Sequence, residues 1–451
     1  ARRGANADGH SFIAAAIESG AGMIICEECD AEIFENRTCA VVLVDDSAVA
    51  LAELSHAFFG FPSRSMTVVG ITGTNGKTTC TFLLKQLLES SGNKVGLIGT
   101  TGNYIGAEMQ SATHTTPEAH ELCALLQRML EAGCSHVVME VSSHALVLKR
   151  VHGMRFAGAM FTNLTPDHLD FHGTMEDYAQ AKRILFRMLG SAAFAVVNND
   201  SPYSVTMLDG CAARAVTVGR NPEASVRIHD EVTGTVSSSF VMNDIAVTMP
   251  LLGSFNIENA AMCIAAALEC GVEHDSVPPV MQRVYAAPGR MMTIPLPHSA
   301  VAIIDYAHTP DALQKALMAC KEMLAGTHAQ LHCVFGCGGN RDSLKRPLMG
   351  SIAEQLADFV YITNDNPRYE DPSFIIKQIV GGMNDTEALT IIPDRREAII
   401  HSLNKLQSGD IVLIAGKGHE EYQIVGSTKT RFSDTETVHD WLRERDTRRI
   451  V

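Results

Sequence analysis

Short continuous apolar runs recur along this chain, each closed by polar or glycine-rich residues, with amphipathic stretches between them. Runs of this length predict buried strands, and apolar positions three or four apart predict helices that cover them. Thr67-Val-Val, Val95-Gly-Leu-Ile, Val137-Val-Met, Gly158-Ala-Met-Phe and Ala195-Val-Val are the strand candidates from about 65 to 295. Their alternation with helical patterns predicts a mostly parallel sheet covered on both faces. Val216 to Met249 reads as a more antiparallel, β-rich insertion. A second series, Val301-Ala-Ile-Ile, His332-Cys-Val-Phe, Phe359-Val-Tyr-Ile and Ile411-Val-Leu-Ile, predicts another α/β unit over 296–451. Pro288-Gly-Arg-Met-Met is the expected hinge before it. Residues 1–64 read as a small α/β unit, with Phe12-Ile-Ala-Ala-Ala-Ile as helix and Gly22-Met-Ile-Ile-Cys as a buried strand. Phe61-Pro-Ser-Arg then breaks the pattern. The expected fold class is α/β, in three units: 1–64, 65–295 and 296–451.

Composition narrows the partners more than the fold. The chain has 451 residues, with 36 basic and 51 acidic side chains and a formal net charge of −15. That balance argues against nucleic-acid and anionic-membrane partners, while a few converging Lys and Arg could still handle an anionic substrate. No apolar run is long enough to span a bilayer, and no signal peptide is recognisable. The 12 cysteines lie scattered in apolar context, as small hydrophobes do in a reduced, cytoplasmic protein. Cys26-Glu-Glu-Cys29 and Cys333-Val-Phe-Gly-Cys337 each lack a matching second pair, so no zinc site is expected. The chain opens Ala1-Arg-Arg-Gly without methionine, which points to a processed product or a fragment.

The chemistry gathers at strand ends. Gly70-Ile-Thr-Gly-Thr-Asn-Gly-Lys-Thr-Thr79 lies between a strand candidate and the helical run Thr81-Phe-Leu-Leu-Lys-Gln-Leu-Leu. A glycine-rich turn there aims backbone N–H groups and a helix N-terminus at one spot, which suits phosphate. Lys77 could reach the outer phosphates of a nucleoside triphosphate, and Thr78 could offer a hydroxyl to Mg²⁺. The spacing departs from a strict P-loop, because Ile71 stands where that pattern has its first glycine. Glu140 closes the run Val137-Val-Met-Glu, and His168 follows the run ending at Phe161; both could serve a hard cation. Lys182, in the helical run Tyr178-Ala-Gln-Ala-Lys-Arg-Ile-Leu-Phe, reads from spacing alone as a solvated or ion-paired lysine.

Taken together, Gly70-x-x-Gly-Thr-Asn-Gly-Lys-Thr-Thr79, Met139-Glu-Val-Ser-Ser-His144, Thr162-Asn-Leu-Thr-x-Asp-His-Leu-Asp170 and Tyr178-x-x-Ala-Lys182 resemble the Mur ligase family. The resemblance continues through Gly253-Ser-Phe-Asn-Ile-Glu-Asn259, Asp305-Tyr-Ala-His-Thr-Pro310 and Ala415-Gly-Lys-Gly-His-Glu420. These enzymes form amide bonds in cytoplasmic peptidoglycan precursor synthesis. The resemblance implies three domains: a UDP-binding α/β domain, a central P-loop ATPase sheet and a C-terminal Rossmann-like domain. Here the first is N-terminally incomplete: Gly4-x-x-x-Asp-Gly-His-x-Phe-Ile is similar to its latter part, and the uridine-contacting stretch before it is absent. Within the family the chain most resembles the branch that adds the third peptide residue to UDP-N-acetylmuramoyl-L-alanyl-D-glutamate.

By that resemblance Gly73, Thr74, Asn75, Gly76, Lys77, Thr78 and Thr79 bind the phosphates of ATP, and Asn259 and Arg290 help hold the nucleotide. Thr78, Glu140 and His168 serve Mg²⁺, together with Lys182 carried as N6-carboxylysine. Lys77 and Lys182 are the catalytic pair. A carbamate can share a metal where an ammonium would be repelled. Thr115, Thr116, Ser142 and Arg150 contact the UDP substrate, and Leu148 stands where the family often has Gln. In the last domain Asp365-Asn-Pro-Arg368 resembles the form found in diaminopimelate-adding members. Arg368 offers a planar fork for a carboxylate, Pro367 stiffens the loop and holds Asn366 extended, and Arg341 is a second fork. Gly416 and Glu420 complete the amino-acid set.

The expected partners are therefore ATP, Mg²⁺, the UDP-dipeptide and meso-diaminopimelate, acting on a monomer. Three alternatives stay open: a lysine-adding relative, a folylpolyglutamate synthetase-like ligase, and a nucleotide-binding module without ligase activity. His308 lies near the expected cleft without an assigned role.

Overall fold

The computed structural model describes residues 1–4, 7–29, 39–234, 237–385 and 387–450. Two large sheets organise it. The central sheet has eleven strands, running in order Ile245–Met249, Ser238–Met242, Val226–Thr233, Arg214–Gly219, Phe194–Asn198, Gly158–Phe161, Thr67–Thr72, His136–Glu140, Val95–Gly99, Gly102–Ile105 and Glu108–Gln110. Its middle is parallel, and both margins are antiparallel. Side chains alternate across this sheet as the pleat requires. Val69 and Ile71 enter a core with helices Lys77–Ser90 and Ser254–Glu269, while Val68 enters one with helices Ala119–Glu131 and Met175–Arg187.

The second sheet has six strands in the order Met292–Pro295, Val301–Asp305, Ile411–Ala415, Leu331–Phe335, Phe359–Ile362 and Leu389–Ile391. All pairs are parallel except the first. Ile303, Leu413 and Cys333 face helix Pro310–Leu324, whereas Ala302, Ile304 and Val412 face helices Arg395–Lys405 and Asp434–Ile450. In both sheets the loops that follow parallel strands collect at one edge, where open α/β sheets hold their ligands. The described helices include none long and apolar enough to cross a membrane.

Three expectations change. The segment from Val216 to Met249 is no separate insertion: Arg214–Gly219 pairs in parallel with Phe194–Asn198, so the antiparallel strands after it extend the central sheet. Met292–Pro295, read with the central unit, pairs with Val301–Asp305 and opens the second sheet. The strand Met23–Cys26 is only half covered. It pairs with Ala40–Leu43 in a two-stranded sheet whose one packed face holds Ile24 and Cys26 against Ile13, leaving Met23 57% exposed. Among the described residues only one face of this sheet is packed, and alternate residues face water.

Candidate active site

The phosphate loop joins strand Thr67–Thr72 to helix Lys77–Ser90. Gly73 and Gly76 take φ of 148° and 89°, and both are crowded from below. A Cβ at Gly76 would lie 2.5 Å from Asn259 Oδ1, and one at Gly73 would lie 1.9 Å from Thr162 Oγ1. The glycines thus let Asn259 and Thr162 approach the loop backbone. Thr162 Oγ1 uses that approach to donate to the Asn75 carbonyl at 2.6 Å. Lys77 Nζ curls back to donate to the carbonyls of Gly73 and Thr74, each at 2.9 Å. Ile71 is a buried core residue of the strand, so the glycine missing from the strict pattern falls outside the loop.

Register brings the next groups in. Ile71 pairs with Glu140 and Thr72 with Phe161, so the strand ends on either side of the loop carry Glu140 and Thr162. Thr78 Oγ1 donates to Glu140 Oε1 at 3.0 Å, and Arg290 Nη2 donates to Thr78 Oγ1 at 3.1 Å. Thr100 steadies the carboxylate through its backbone N–H at 2.9 Å and its hydroxyl at 3.1 Å. Thr78 and Glu140 are buried and present only hard oxygen donors, a set suited to Mg²⁺. His168 lies one layer out, its ring 4.9 Å from that of His144 and edge-on to Tyr178. Burial drives its pKa down to about 4, against the pull of Asp167.

Lys182 is 1% exposed, which overturns the solvated reading. Its Nζ donates to the Gly73 carbonyl at 2.9 Å, the same oxygen that Lys77 uses, and lies 4.3 Å from the Tyr178 ring centroid. Burial first, then the neighbouring Lys77, pushes its pKa far below that of an ordinary lysine. Lys77 is likewise lowered, by burial above all. One signal for Lys182 was present in the chain. Tyr178, Ala181, Lys182 and Leu185 share the buried face of their helix at i, i+3, i+4 and i+7.

The four residues expected on the UDP substrate form one strip beside Glu140. Thr116 Oγ1 donates to the Glu140 carbonyl at 2.8 Å and accepts from the Ser142 N–H at 3.1 Å. Ser142 caps helix Ser143–Val147, and Thr115 shares a 2.9 Å hydrogen bond with Thr100. Arg150 donates to the Thr116 carbonyl at 3.0 Å and pairs with Glu118 at 2.7 Å. Glu118 and Arg2, which sequence reasoning passed over, belong here too, paired at 2.9 Å. Leu148 stands at the C-terminal end of the same short helix, 36% exposed.

On the second sheet, Asp365, Asn366, Pro367 and Arg368 follow strand Phe359–Ile362, and Gly416 to Glu420 follow strand Ile411–Ala415. Arg368 adopts a left-handed φ of 53° and donates to the Gly339 carbonyl at 2.8 Å. Arg341 is exposed, and its stem and the Arg368 guanidinium both lie beside Gly338. Asn366 Nδ2 donates to Glu420 Oε2 at 2.9 Å. Beneath them lies Lys417, a residue the reading of the chain did not single out.

The two sheets meet through the hinge. A Cβ at Gly289 would lie 2.1 Å from the His419 nitrogen, so the hinge and the loop after strand Ile411–Ala415 touch backbone to backbone. The Tyr306 ring lies 4.5 Å from the Arg290 guanidinium and 5.3 Å from the His419 ring. Asp305 accepts from the Met291 and Ala307 N–H groups at 2.7 and 2.8 Å, pinning the hinge to the second sheet. His308 folds onto the Tyr306 carbonyl at 2.9 Å, with burial taking its pKa to about 4. Asn75 crosses the junction to Asp311 at 2.8 Å. Beside that bond lies a cavity of about 310 Å³ lined by Ser254, Phe255, Asp311, Gln314, Lys315 and Met318.

A phosphate loop with its acid–hydroxyl pair thus faces a second α/β sheet with its own charged loop pocket. The comparisons carry this further. Residues 71–267 match the Mur ligase middle domain and residues 289–418 the glutamate ligase domain of Mur ligases. The chain belongs to the Mur ligase family. It is 45% identical over 449 residues to the UDP-N-acetylmuramoyl-L-alanyl-D-glutamate--2,6-diaminopimelate ligase of Chlorobaculum tepidum, covering 97% of this chain and 88% of that protein. The enzyme of the same name from Parabacteroides distasonis is 41% identical, with 97% and 90% covered. A solved structure of a ligase of that name superposes with a TM-score of 0.68 at 33% identity, covering 97% and 90%. At 20% identity, MurF from Thermotoga maritima in complex with ADP shares the fold, with a TM-score of 0.65 and 100% and 94% covered.

Proposed function

We propose that this chain joins meso-diaminopimelate to UDP-N-acetylmuramoyl-L-alanyl-D-glutamate at the expense of ATP, a step of peptidoglycan precursor synthesis. The observation that carries this reading is the Arg290–Tyr306–His419 contact, which sets a cationic phosphate loop against a pocket of mixed charge. The D-glutamate side-chain carboxylate attacks the γ-phosphorus of ATP, and ADP leaves. The amine of diaminopimelate then adds to the acyl phosphate through a tetrahedral intermediate, and inorganic phosphate departs. Little covalent work falls to the protein, so positioning and charge stabilisation dominate.

Each group has a task in that sequence. Gly73 to Thr79 receive the phosphates, and Lys77 exchanges its two carbonyl partners for phosphoryl oxygens. Asn259 and Arg290 hold the nucleotide. Thr78 and Glu140, with His168 and Lys182 as the carbamate, would hold Mg²⁺, which when bound offsets charge on the transferring phosphoryl group. Lys182 is suited to that modification: a deprotonated, buried amine adds to CO₂, forming a C–N bond and releasing a proton. Thr115, Thr116, Ser142 and Arg150 contact the UDP-dipeptide. Arg341, Asp365, Asn366, Pro367, Arg368, Gly416 and Glu420 hold the incoming amino acid. Residues 1–64, the central sheet with its helices and the second sheet from Met292 onward act as the acceptor, ATP and amino-acid units of a cytoplasmic monomer, a compartment in keeping with the free thiols of its cysteines.

The test is ADP release with ATP, Mg²⁺ and the UDP-dipeptide, adding meso-diaminopimelate or L-lysine and weighing the product. Diaminopimelate-dependent release with a UDP-tripeptide product is expected. Release with lysine alone would move the chain to the lysine-adding branch, and no release with either would defeat the ligase reading.

A further inference from the structure

The loop after strand Ile411–Ala415 turns sharply at two glycines, Gly416 and Gly418, with φ of 114° and 53°. Each is held close to another segment: a Cβ at Gly416 would lie 3.3 Å from Asp365 Oδ2, and one at Gly418 would lie 2.7 Å from the Gly289 carbonyl oxygen. Lys417, between them, is driven inward, and its side chain is 0% exposed. Its three donors are all used. Nζ reaches Asp365 Oδ1 at 3.2 Å, Asn366 Oδ1 at 3.1 Å and Glu420 Oε2 at 3.3 Å. Asn366 Oδ1 also accepts from the Ile424 N–H at 3.0 Å, and the Asp365 carbonyl from Gln423 at 2.7 Å. A fully buried lysine is rare unless paired, and this one is paired with the very residues read as the amino-acid pocket.

We propose that Lys417 is the positioning residue of that pocket: it locks Asp365, Asn366 and Glu420 into one array that keeps a net negative charge for the distal ammonium of the incoming amino acid. The charge follows from the surroundings. One ammonium stands between two carboxylates, and the nearby Arg395 is already held by Asp434 in a two-pronged buried pair, both bonds at 2.8 Å. Arg368 is held at Gly338 and the Gly339 carbonyl and makes no bond to Asp365 or Glu420 among those described, which leaves its fork for a carboxylate. Without Lys417, two like charges in a poorly solvated loop would repel, and one carboxyl would hold a proton. The array would then lose both its spacing and its preference for an ammonium. Glu420 already leans that way: burial raises its pKa, and Lys417 opposes the rise.

This inference rests on the diaminopimelate reading, and its test separates the two. Initial rates are measured for wild type, Lys417→Met, Lys417→Arg, Glu420→Gln and the Met/Gln double variant. Meso-diaminopimelate is compared with 2-aminopimelate, which lacks the distal amine. In wild type, kcat/KM should favour diaminopimelate. Lys417→Met should lower kcat/KM for diaminopimelate by at least about tenfold, the loss expected for charged hydrogen bonds, while shifting 2-aminopimelate and the KM for ATP by about twofold or less. The double variant should be no worse than the poorer single variant, because both act on one array. Equal losses for both amino acids, an unchanged preference, or additive losses would overturn the role. Should Lys417→Met not fold, Lys417→Arg serves instead: its planar fork cannot repeat the three contacts, so an intermediate loss of preference is expected, and none would refute the proposal. If wild type prefers another diamino acid, the diaminopimelate reading fails, and the same ratio against that substrate's deaminated analogue decides Lys417.

Discussion

Both sheets bury a lysine at a strand-end loop, yet the two settings are electrically opposite. In the central sheet Lys77 and Lys182 converge on the carbonyl of Gly73, with Arg290 on Thr78. Their bonded partners there are carbonyls and a hydroxyl, and burial holds both lysines below their usual basicity, with Glu140 and Asp167 opposing the fall at Lys77 and Asp167 opposing it at Lys182. Amines without a bonded carboxylate are free to turn to the oxygens of a polyphosphate. In the second sheet Lys417 is surrounded by two carboxylates and an amide. That site has acid to spare and an arginine at its margin, which matches a zwitterion carrying both an amine and a carboxylate. The same architecture, a loop after a parallel strand, is thus tuned for opposite ligands by which side chains face the buried amine.

Four experiments sharpen or break that contrast. The largest effect is expected from Lys77→Met, which removes the charge nearest the phosphates. ADP release should fall by about 10²–10³-fold, as for loss of one preorganised group at a developing charge. A near-normal rate would mean that the central site does not depend on its cations. Next is Arg368→Lys, which keeps the charge and loses the fork. The KM for diaminopimelate should rise roughly tenfold to a hundredfold with the KM for ATP unchanged, because the two sites bind different ligands. Equal shifts in both constants would merge the sites. Gly76→Ala should follow, since a Cβ there meets Asn259 and the positive φ is strained. A cost of about 1–3 kcal/mol should appear as weaker ADP binding by titration calorimetry, with amino-acid KM spared.

The smallest effect concerns pH. Burial raises the Glu420 pKa above its ordinary 4.5, so on acidification the folded pocket takes up a proton before a free glutamate would. The loss of negative charge should raise the KM for diaminopimelate as pH falls toward that raised value, while the KM for ATP stays level. For stability the sign is the reverse of a paired carboxylate. Between the ordinary and the raised pKa the folded state binds more protons, so Glu420 weakens the fold as pH rises through that window. Glu420→Gln should therefore flatten the pH dependence of both KM and Tm. A wild-type KM for diaminopimelate that is level across the acid range would argue that Glu420 stays ionised.

Particular residues show where reading the chain stopped. The phosphate loop was legible because its function depends on contiguous backbone: glycine φ angles, a helix start and one lysine all lie within ten positions. Glu140 and Thr162 were legible as strand-end residues, since a buried strand announces its own end. Spacing alone reads Lys182 as solvated or ion-paired, although that spacing matches the buried face of its helix, because a charged residue at such a position is usually exposed. Glu118 and Arg2 carry no signal in the chain, and Lys417 stands inside the Ala415 to Glu420 motif without a role of its own. Arg150 lies 32 positions from Glu118, Glu118 lies 116 from Arg2 and Asp365 lies 52 from Lys417, and no local pattern marks such meetings.

The amino-acid sequence on its own determined the alternation of strands and helices, the chemistry of the phosphate loop and the order of the motifs, all of which depend on neighbours along the backbone. Tertiary structure alone decided which lysines lack a bonded carboxylate and which are saturated. Desolvation and pairing depend on what folds against a side chain, and strand order places Gly73 over Lys182, Tyr306 between Arg290 and His419, and Lys417 beneath Asp365.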